Sequence, residues 1–197
     1  MIDKALHFLA EEINQYLKTK LSFAGDKIIL ENISKLAENG GNGATANKII
    51  LSLVNIEEDR IFKSPENYIK TDDNKVVYKN PAVPVNMYCV FAYNHSDTDN
   101  EAANHYEEGL MFISYVIRFF QHRSVFTTAN SPALDPGIEK LLAELHSLGF
   151  EQLNHLWAIL GGKYLPSVMY KFRLVQLDEN LTEATGELIK NVGVTNN

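Results

Sequence analysis

Apolar side chains recur at helical spacing near the start of the chain. Leu6, Leu9, Ala10, Ile13, Tyr16 and Leu17 share one side, while Glu11, Glu12, Gln15 and Lys18 take the other. The spacing predicts an amphipathic helix over residues 5–20. The next signal has a period of two and not of 3.6. Residues 27–33 are short, β-branched and preceded by Gly25-Asp26, which reads as a strand. After the breaker Asn39-Gly40-Gly41-Asn42-Gly43, residues 48–58 read as a long strand, apolar on both faces up to Asn55. That pattern places it centrally in a sheet covered by helices on at least one side. Residues 85–93 alternate large side chains on both faces and form a second strong strand, the expected neighbour of the first.

Between these two strands the composition turns polar. Pro65, Asn67 and Asp72-Asp73-Asn74 mark turns around Lys75-Val76-Val77-Tyr78, which fits either a hairpin arm or a long loop. Residues 100–122 predict the longest helix, with Tyr106, Leu110, Ile113, Val116, Ile117 and Phe120 along its core side. The prolines and turn residues of 125–136 predict an irregular surface loop. Residues 138–148 leave two readings open, because Leu141, Leu142 and Leu145 suit a helix while Leu141, Ala143 and Leu145 suit a strand. Residues 150–160 predict a short helix closed by Gly161-Gly162, and residues 167–177 alternate as a final strand. The order of elements predicts an α+β fold: a mostly antiparallel sheet with a long core helix and shorter helices packed on it. One domain is expected over residues 1–178, followed by a weakly patterned tail over 179–197.

Composition narrows the function. The chain has 197 residues with 45% hydrophobic and 22% charged side chains, enough for one well-cored domain. A formal charge of -7 argues against a general electrostatic grip on nucleic acid or anionic lipid, since both need a basic face. The single cysteine, Cys89, excludes an intrachain disulfide and any multi-cysteine zinc site. Its apolar strand predicts a small buried hydrophobe and not a nucleophile. The amino end lacks the apolar run of a signal peptide and no stretch is long enough to span a bilayer, so synthesis in the cytoplasm without insertion by this chain is expected.

Sharper chemistry finds little footing. His95, His105, Glu107 and Glu108 match no zinc spacing, and His105 is expected at the surface. His146 and His155 lie near Glu144 and Glu151 as a nominal acid/base pair, but no nucleophile or oxyanion loop accompanies them. The glycine-rich stretch lacks the Gly-Lys-Ser/Thr ending of a phosphate loop. The sequence therefore predicts no enzyme, no cofactor and no metal.

Several short stretches carry a resemblance when taken in order. They are Leu53-Val54-Asn55-Ile56-Glu57-Glu58-Asp59-Arg60, Phe119-Phe120-Gln121, Asn130-Ser131-Pro132, Leu153-Asn154-His155-Leu156-Trp157, Leu160-Gly161-Gly162-Lys163-Tyr164 and Pro166-Ser167-Val168-Met169-Tyr170-Lys171-Phe172-Arg173. Together they resemble the tail-terminator or cap proteins of extracellular contractile injection systems, such as anti-feeding prophages and Photorhabdus virulence cassettes. The resemblance implies a fold like that of phage tail terminators, assembled as a homo-hexameric ring on the last ring of the inner tube protein. It also implies contact with the sheath protein at the end of the sheath, in a particle that is released or held at a membrane by other subunits. Some relatives carry an additional C-terminal domain, whose functions do not transfer to this chain. The alternative expectation is an assembly chaperone or adaptor of the same particle that is not retained.

A cap must match one face of the stack and fail to reproduce the other. The polar insertion over residues 60–79, with Tyr68, Lys75 and Tyr78, is either a contact element or an ordinary surface hairpin. Glu57, Glu58, Asp59 and Arg60 are candidates for intersubunit ion pairs, against the alternative of a solvated strand end. Phe119 and Phe120 are adjacent and cannot both follow one helical stripe. Either one of them faces a partner beside His122 and Arg123, or it packs under the loop that follows. Trp157 and Tyr164 read as core or helix-end packing.

Overall fold

The computed structural model describes the chain except for residues 23, 39–42, 60–67, 71–74, 79–83, 96–101, 162–163, 177–183 and 188–197. For residues 37–38, 68–70, 75–78, 102–104, 176 and 184–187 only the backbone is described.

The opening stripe forms α1 (Ile2–Leu21), which buries Leu6, Leu9, Ala10, Ile13 and Leu17. Lys18 and Lys20 sit in its last turn, where cations favour the helix dipole, and Ser22 ends it in the left-handed region with φ 56°. Then come β1 (Ile28–Leu30), the one-turn helix α2 (Lys35–Glu38) and β2 (Lys48–Glu58). The polar insertion supplies β3 (Tyr68–Lys70) and β4 (Lys75–Tyr78), paired antiparallel as a hairpin. β5 (Val85–Asn94) and α3 (Ala102–His122) follow. The remaining elements are β6 (Val125–Thr127), β7 (Ile138–Leu145), α4 (Phe150–Ile159), β8 (Ser167–Gln176) and β9 (Ala184–Glu187).

The main sheet has six strands in the order β1-β2-β5-β8-β7-β6. Only β1 against β2 is parallel, and every other pair in it is antiparallel. The fold is therefore α+β with a mostly antiparallel sheet and a long helix across it. A separate three-stranded sheet takes the order β3-β4-β9. β9 comes from the stretch beyond residue 178 whose pattern predicts no element, and it pairs antiparallel with β4.

Alternation along the central strands sends side chains to two different layers. From β5, Met87, Cys89, Phe91 and Tyr93 join the main core with α1 and α3. Val90 and Ala92 point the other way, into a smaller cluster with Ile33, Ile50, Trp157 and Leu165 beneath α4. β1 would be an open edge, but α1 covers it through a buried Asn14. The Asn14 side chain donates to the Ile28 carbonyl at 2.8 Å and accepts from the Lys27 and Ile28 amides at 2.9 and 2.8 Å. A helical side chain thus substitutes for a neighbouring strand.

The structure settles or corrects several expectations. Residues 138–145 are a strand: Ile138, Leu141 and Ala143 are buried, and a register shift between residues 138 and 140 interrupts the alternation that would have revealed it. The stretch expected to be all loop begins with β6, paired with β7. The core side of α3 is also rotated from its expected position. Tyr106, Leu110 and Ile117 are 45%, 43% and 37% exposed, while Phe112, Ile113, Val116, Phe119 and Phe120 are buried. The cause is Gly109, which lies so close to β5 that a Cβ there would come within 2.2 Å of Tyr93 Cδ1. That contact turns the line of residues 109, 112, 116 and 119 inward.

Candidate functional site

The acidic end of β2 divides in two. Glu57 is exposed and accepts hydrogen bonds from the Tyr88 hydroxyl at 2.9 Å and from Asn55 Nδ2 at 3.2 Å. Burial and, secondarily, the neighbouring Glu57 carboxylate push the Tyr88 phenol above its ordinary pKa. Glu58 is exposed as well. Asp59 is only 3% exposed and pairs within the chain with Arg173 Nε on β8 at 2.7 Å. The Asp59 carboxylate is thus engaged within the chain, where a buried charge requires a partner. Arg60 lies outside the described residues. Tyr68 stands opposite Tyr78 in the β3 and β4 pairing, and Lys75 stands opposite Glu187. The side chains of Tyr68, Lys75 and Tyr78 also lie outside what is described.

The two rings ending α3 both turn inward. Phe119 is 6% exposed and Phe120 3%. Phe119 lies 5.3 Å from Tyr16 and 6.0 Å from Phe126, and Phe120 lies 4.5 Å from Tyr170, measured between ring centroids. Both rings pack within the chain, because the short strand β6 brings Phe126 back against the helix. Arg123 completes this corner. It reaches Glu12 Oε2 at 2.8 Å, donates to the Asn130 carbonyl and Ser131 Oγ, and stands 4.9 Å above the Phe126 ring. It ties α3, α1 and the loop together.

Two grooves flank the sheet on opposite faces. The first, of about 450 Å³, runs between the second half of α1, the end of α3 and the 130–132 loop. Tyr16 and Phe119 line it, with Thr19, His122 and Arg123 around them. It gathers two residues singled out in the sequence, Phe119 and Arg123. The second, of about 410 Å³, lies beside α4 and includes Glu57, Tyr88, His146, His155, Leu156 and Met169. His146 meets Tyr88 edge-on at 5.0 Å. His146 and His155 thus share a groove, whereas Glu144 and Glu151 do not line it.

The other chemistry resolves as packing. Cys89 is fully buried and desolvation pushes its thiol up to about 12, so it is not a nucleophile at neutral pH. His105 is not the solvated residue expected: its side chain is 16% exposed, 3.8 Å from Glu108. Glu108 also accepts from Tyr93 at 3.2 Å and meets Lys27 at 3.5 Å. No group of three or more His, Cys, Asp or Glu side chains among the described residues is placed to hold a metal ion. No helix among them is long and apolar enough to cross a membrane.

Sequence reasoning missed the most exposed apolar side chains. Phe150 is 94% exposed, and Leu145, Ile159 and Tyr164 are also prominent at the surface. No signal marked Phe150, since its spacing from Leu153 and Trp157 fits the buried stripe of α4.

The model of the family described as the Pvc16 N-terminal domain matches residues 5–191. The chain belongs to this family. Two solved structures are similar at low identity. One is the sheath/tube terminator of a PVC extracellular contractile injection system in its extended state, at 15% identity and TM-score 0.48, covering 95% of this chain and 62% of that one. The other is the tube-terminating cap of the anti-feeding prophage, at 16% identity and TM-score 0.46, covering 82% of this chain and 59% of that one. The chain thus spans about three-fifths of each of these structures. No curated protein matches it.

Proposed function

We propose that this chain is a structural cap that ends the inner tube and anchors the sheath end of a contractile injection particle, working as a homo-hexameric ring. Membership of the Pvc16 N-terminal domain family, over residues 5–191, is the observation that carries the reading. The two unlike faces of the sheet support it. A stack of identical rings grows because each ring repeats the surface it was laid on, and a cap stops growth by binding through one surface and presenting a different one. The exposed apolar side chains on and around α4 fit a protein whose work is contact with other chains.

Deleting the gene and imaging particles by electron microscopy tests this. Overlong, uncapped or unstable particles are expected. Capped particles of normal length would overturn the reading. Mass spectrometry of purified wild-type particles should find about one ring of this chain at a particle end, whereas its absence from finished particles would favour a transient assembly chaperone.

A further inference from the structure

We propose that this chain, when it is not part of a particle, pairs with a second copy of itself through the outer faces of α3, the two helices running antiparallel about Ser114. The inference goes beyond the cap reading and does not depend on it.

α1 and α3 cover the same face of the sheet, yet their solvent sides differ. α1 turns His7, Glu11, Gln15 and Lys18 outward, as expected of a helix whose far side meets only water. α3 instead turns out Leu110, Met111 and Ile117, which are 43%, 36% and 37% exposed. The close approach at Gly109 produces this, because it commits residues 112, 116 and 119 to the core and leaves Leu110 and Ile117 without cover. A helix that is apolar on its outer side as well has a second surface to bury.

The order of residues along that outer stripe selects the occupant. Glu107, Leu110, Ser114, Ile117 and Gln121 follow one another in alternating steps of three and four, the spacing at which two helices share a seam. Reversed, the series matches itself. Antiparallel about Ser114, Leu110 of each copy meets Ile117 of the other, and Glu107 meets Gln121. Charge selects the same direction: Glu107 is exposed at the amino end of the stripe, and Arg118 and His122 are exposed at its carboxyl end. An antiparallel pair brings each acid to the other copy's bases, whereas a parallel pair sets like against like. Arg118 lies over the Tyr115 ring of its own helix at 5.5 Å, a stacking that leaves its edge donors for a carboxylate. Ser114 suits the centre. It is small enough for two backbones to approach, and its hydroxyl donates to the Leu110 carbonyl at 2.8 Å, so it enters a dry contact already bonded. An unrelated chain would have to supply each of these features separately, while a second copy supplies them all by symmetry. Such an isologous contact closes at two copies and does not propagate.

A single helix pair buries less than the about 1,600 Å² of a standard interface, so a dimer that dissociates in the range of tens of micromolar is expected. Sedimentation of the full chain should find dimer at about 100 µM and monomer at about 1 µM, and monomer at both would overturn the inference. The register is read by oxidising two single-cysteine additions. Ser114→Cys should link copy to copy across the two-fold axis, and Glu107→Cys should not, with Cys89 too buried to compete. No link through position 114, or equal linking at both positions, would overturn the contact. Glu107→Arg and Arg118→Glu should each weaken the dimer about fivefold, and the two together in one chain should restore it, because opposite charges again face each other. A double variant weaker than either single one would also count against the antiparallel pair. All three positions are exposed, so every variant should melt with the wild-type chain.

Discussion

Val90 and Phe91 are neighbours on β5, and they lead into two very different layers. Phe91 enters a continuous core in which Phe112, Phe120, Phe126, Tyr170 and Phe172 meet beneath α1 and α3. Val90 enters a cluster of six buried residues under α4 and α2, beside a groove lined by Glu57, Tyr88 and two histidines. One face of the sheet holds the fold together, and the other is thinly covered and leaves polar and apolar side chains in water. The lesson is that the same alternating strand supplies stability on one side and an adaptable surface on the other.

Paired truncations on β5 test this contrast most severely. Phe91→Ala should cost about 3–5 kcal/mol, because it removes a buried ring and leaves a cavity among other rings. Val90→Ala should cost less, about 1.5–3 kcal/mol, as a smaller group leaves a thinner layer. Urea denaturation measures both, and equal losses would mean that the two layers are energetically alike. Asp59→Ala should cost less than the loss of Phe91, about 1–3 kcal/mol, since it removes the carboxylate nearest Arg173 and leaves Glu144 at 3.8 Å. A loss below about 1 kcal/mol would place that pair among solvated ion pairs.

Smaller effects are expected where the large core meets its edge. Asn14→Ala removes three hydrogen bonds to residues 27 and 28 and should cost about 1–3 kcal/mol, with faster amide exchange in β1. The mildest probe is Cys89. Its thiol, raised to about 12 in the folded chain from an ordinary 9.0, stays protonated at neutral pH and should not react with a thiol reagent until the chain unfolds. The sign of the pH effect follows. Stability from this group is intact below pH 9.0 and falls as pH rises towards about 12, because there the unfolded chain releases a proton that the folded chain holds. Rapid labelling at pH 7 would show that β5 is open to solvent.

Much of the architecture was legible in the chain. The stripe of α1, the full extent of β2 and the alternation of β5 and β8 each follow from a single dominant period. β7 was not, because the register shift after Ile138 breaks its alternation and a pair of leucines imitates a helix. The face of α3 was misjudged because its partner surface is decided by one residue without a side chain, Gly109, against a tyrosine distant in sequence. Of the candidate site, the sequence shows which residues stand out but not their neighbours: Phe119 and Arg123 border one groove, and Asp59 pairs with Arg173 of a distant strand.

By itself, the amino-acid order determined where local elements form, that they assemble as α+β, and which family the ordered motifs resemble. The local elements depend on side-chain period and turn chemistry within about 10–20 residues, a range that a single segment contains, whereas the resemblance rests on the ordered motifs themselves. Only the tertiary structure decided which charges are spent inside, which apolar residues stay in water, and that Phe150 and the Tyr16 groove lie on opposite faces. Burial is a property of what lies across the gap from a side chain, and in this fold that neighbour comes from a distant part of the chain. Phe150 carries the spacing of a core residue and yet remains exposed at the first position of α4.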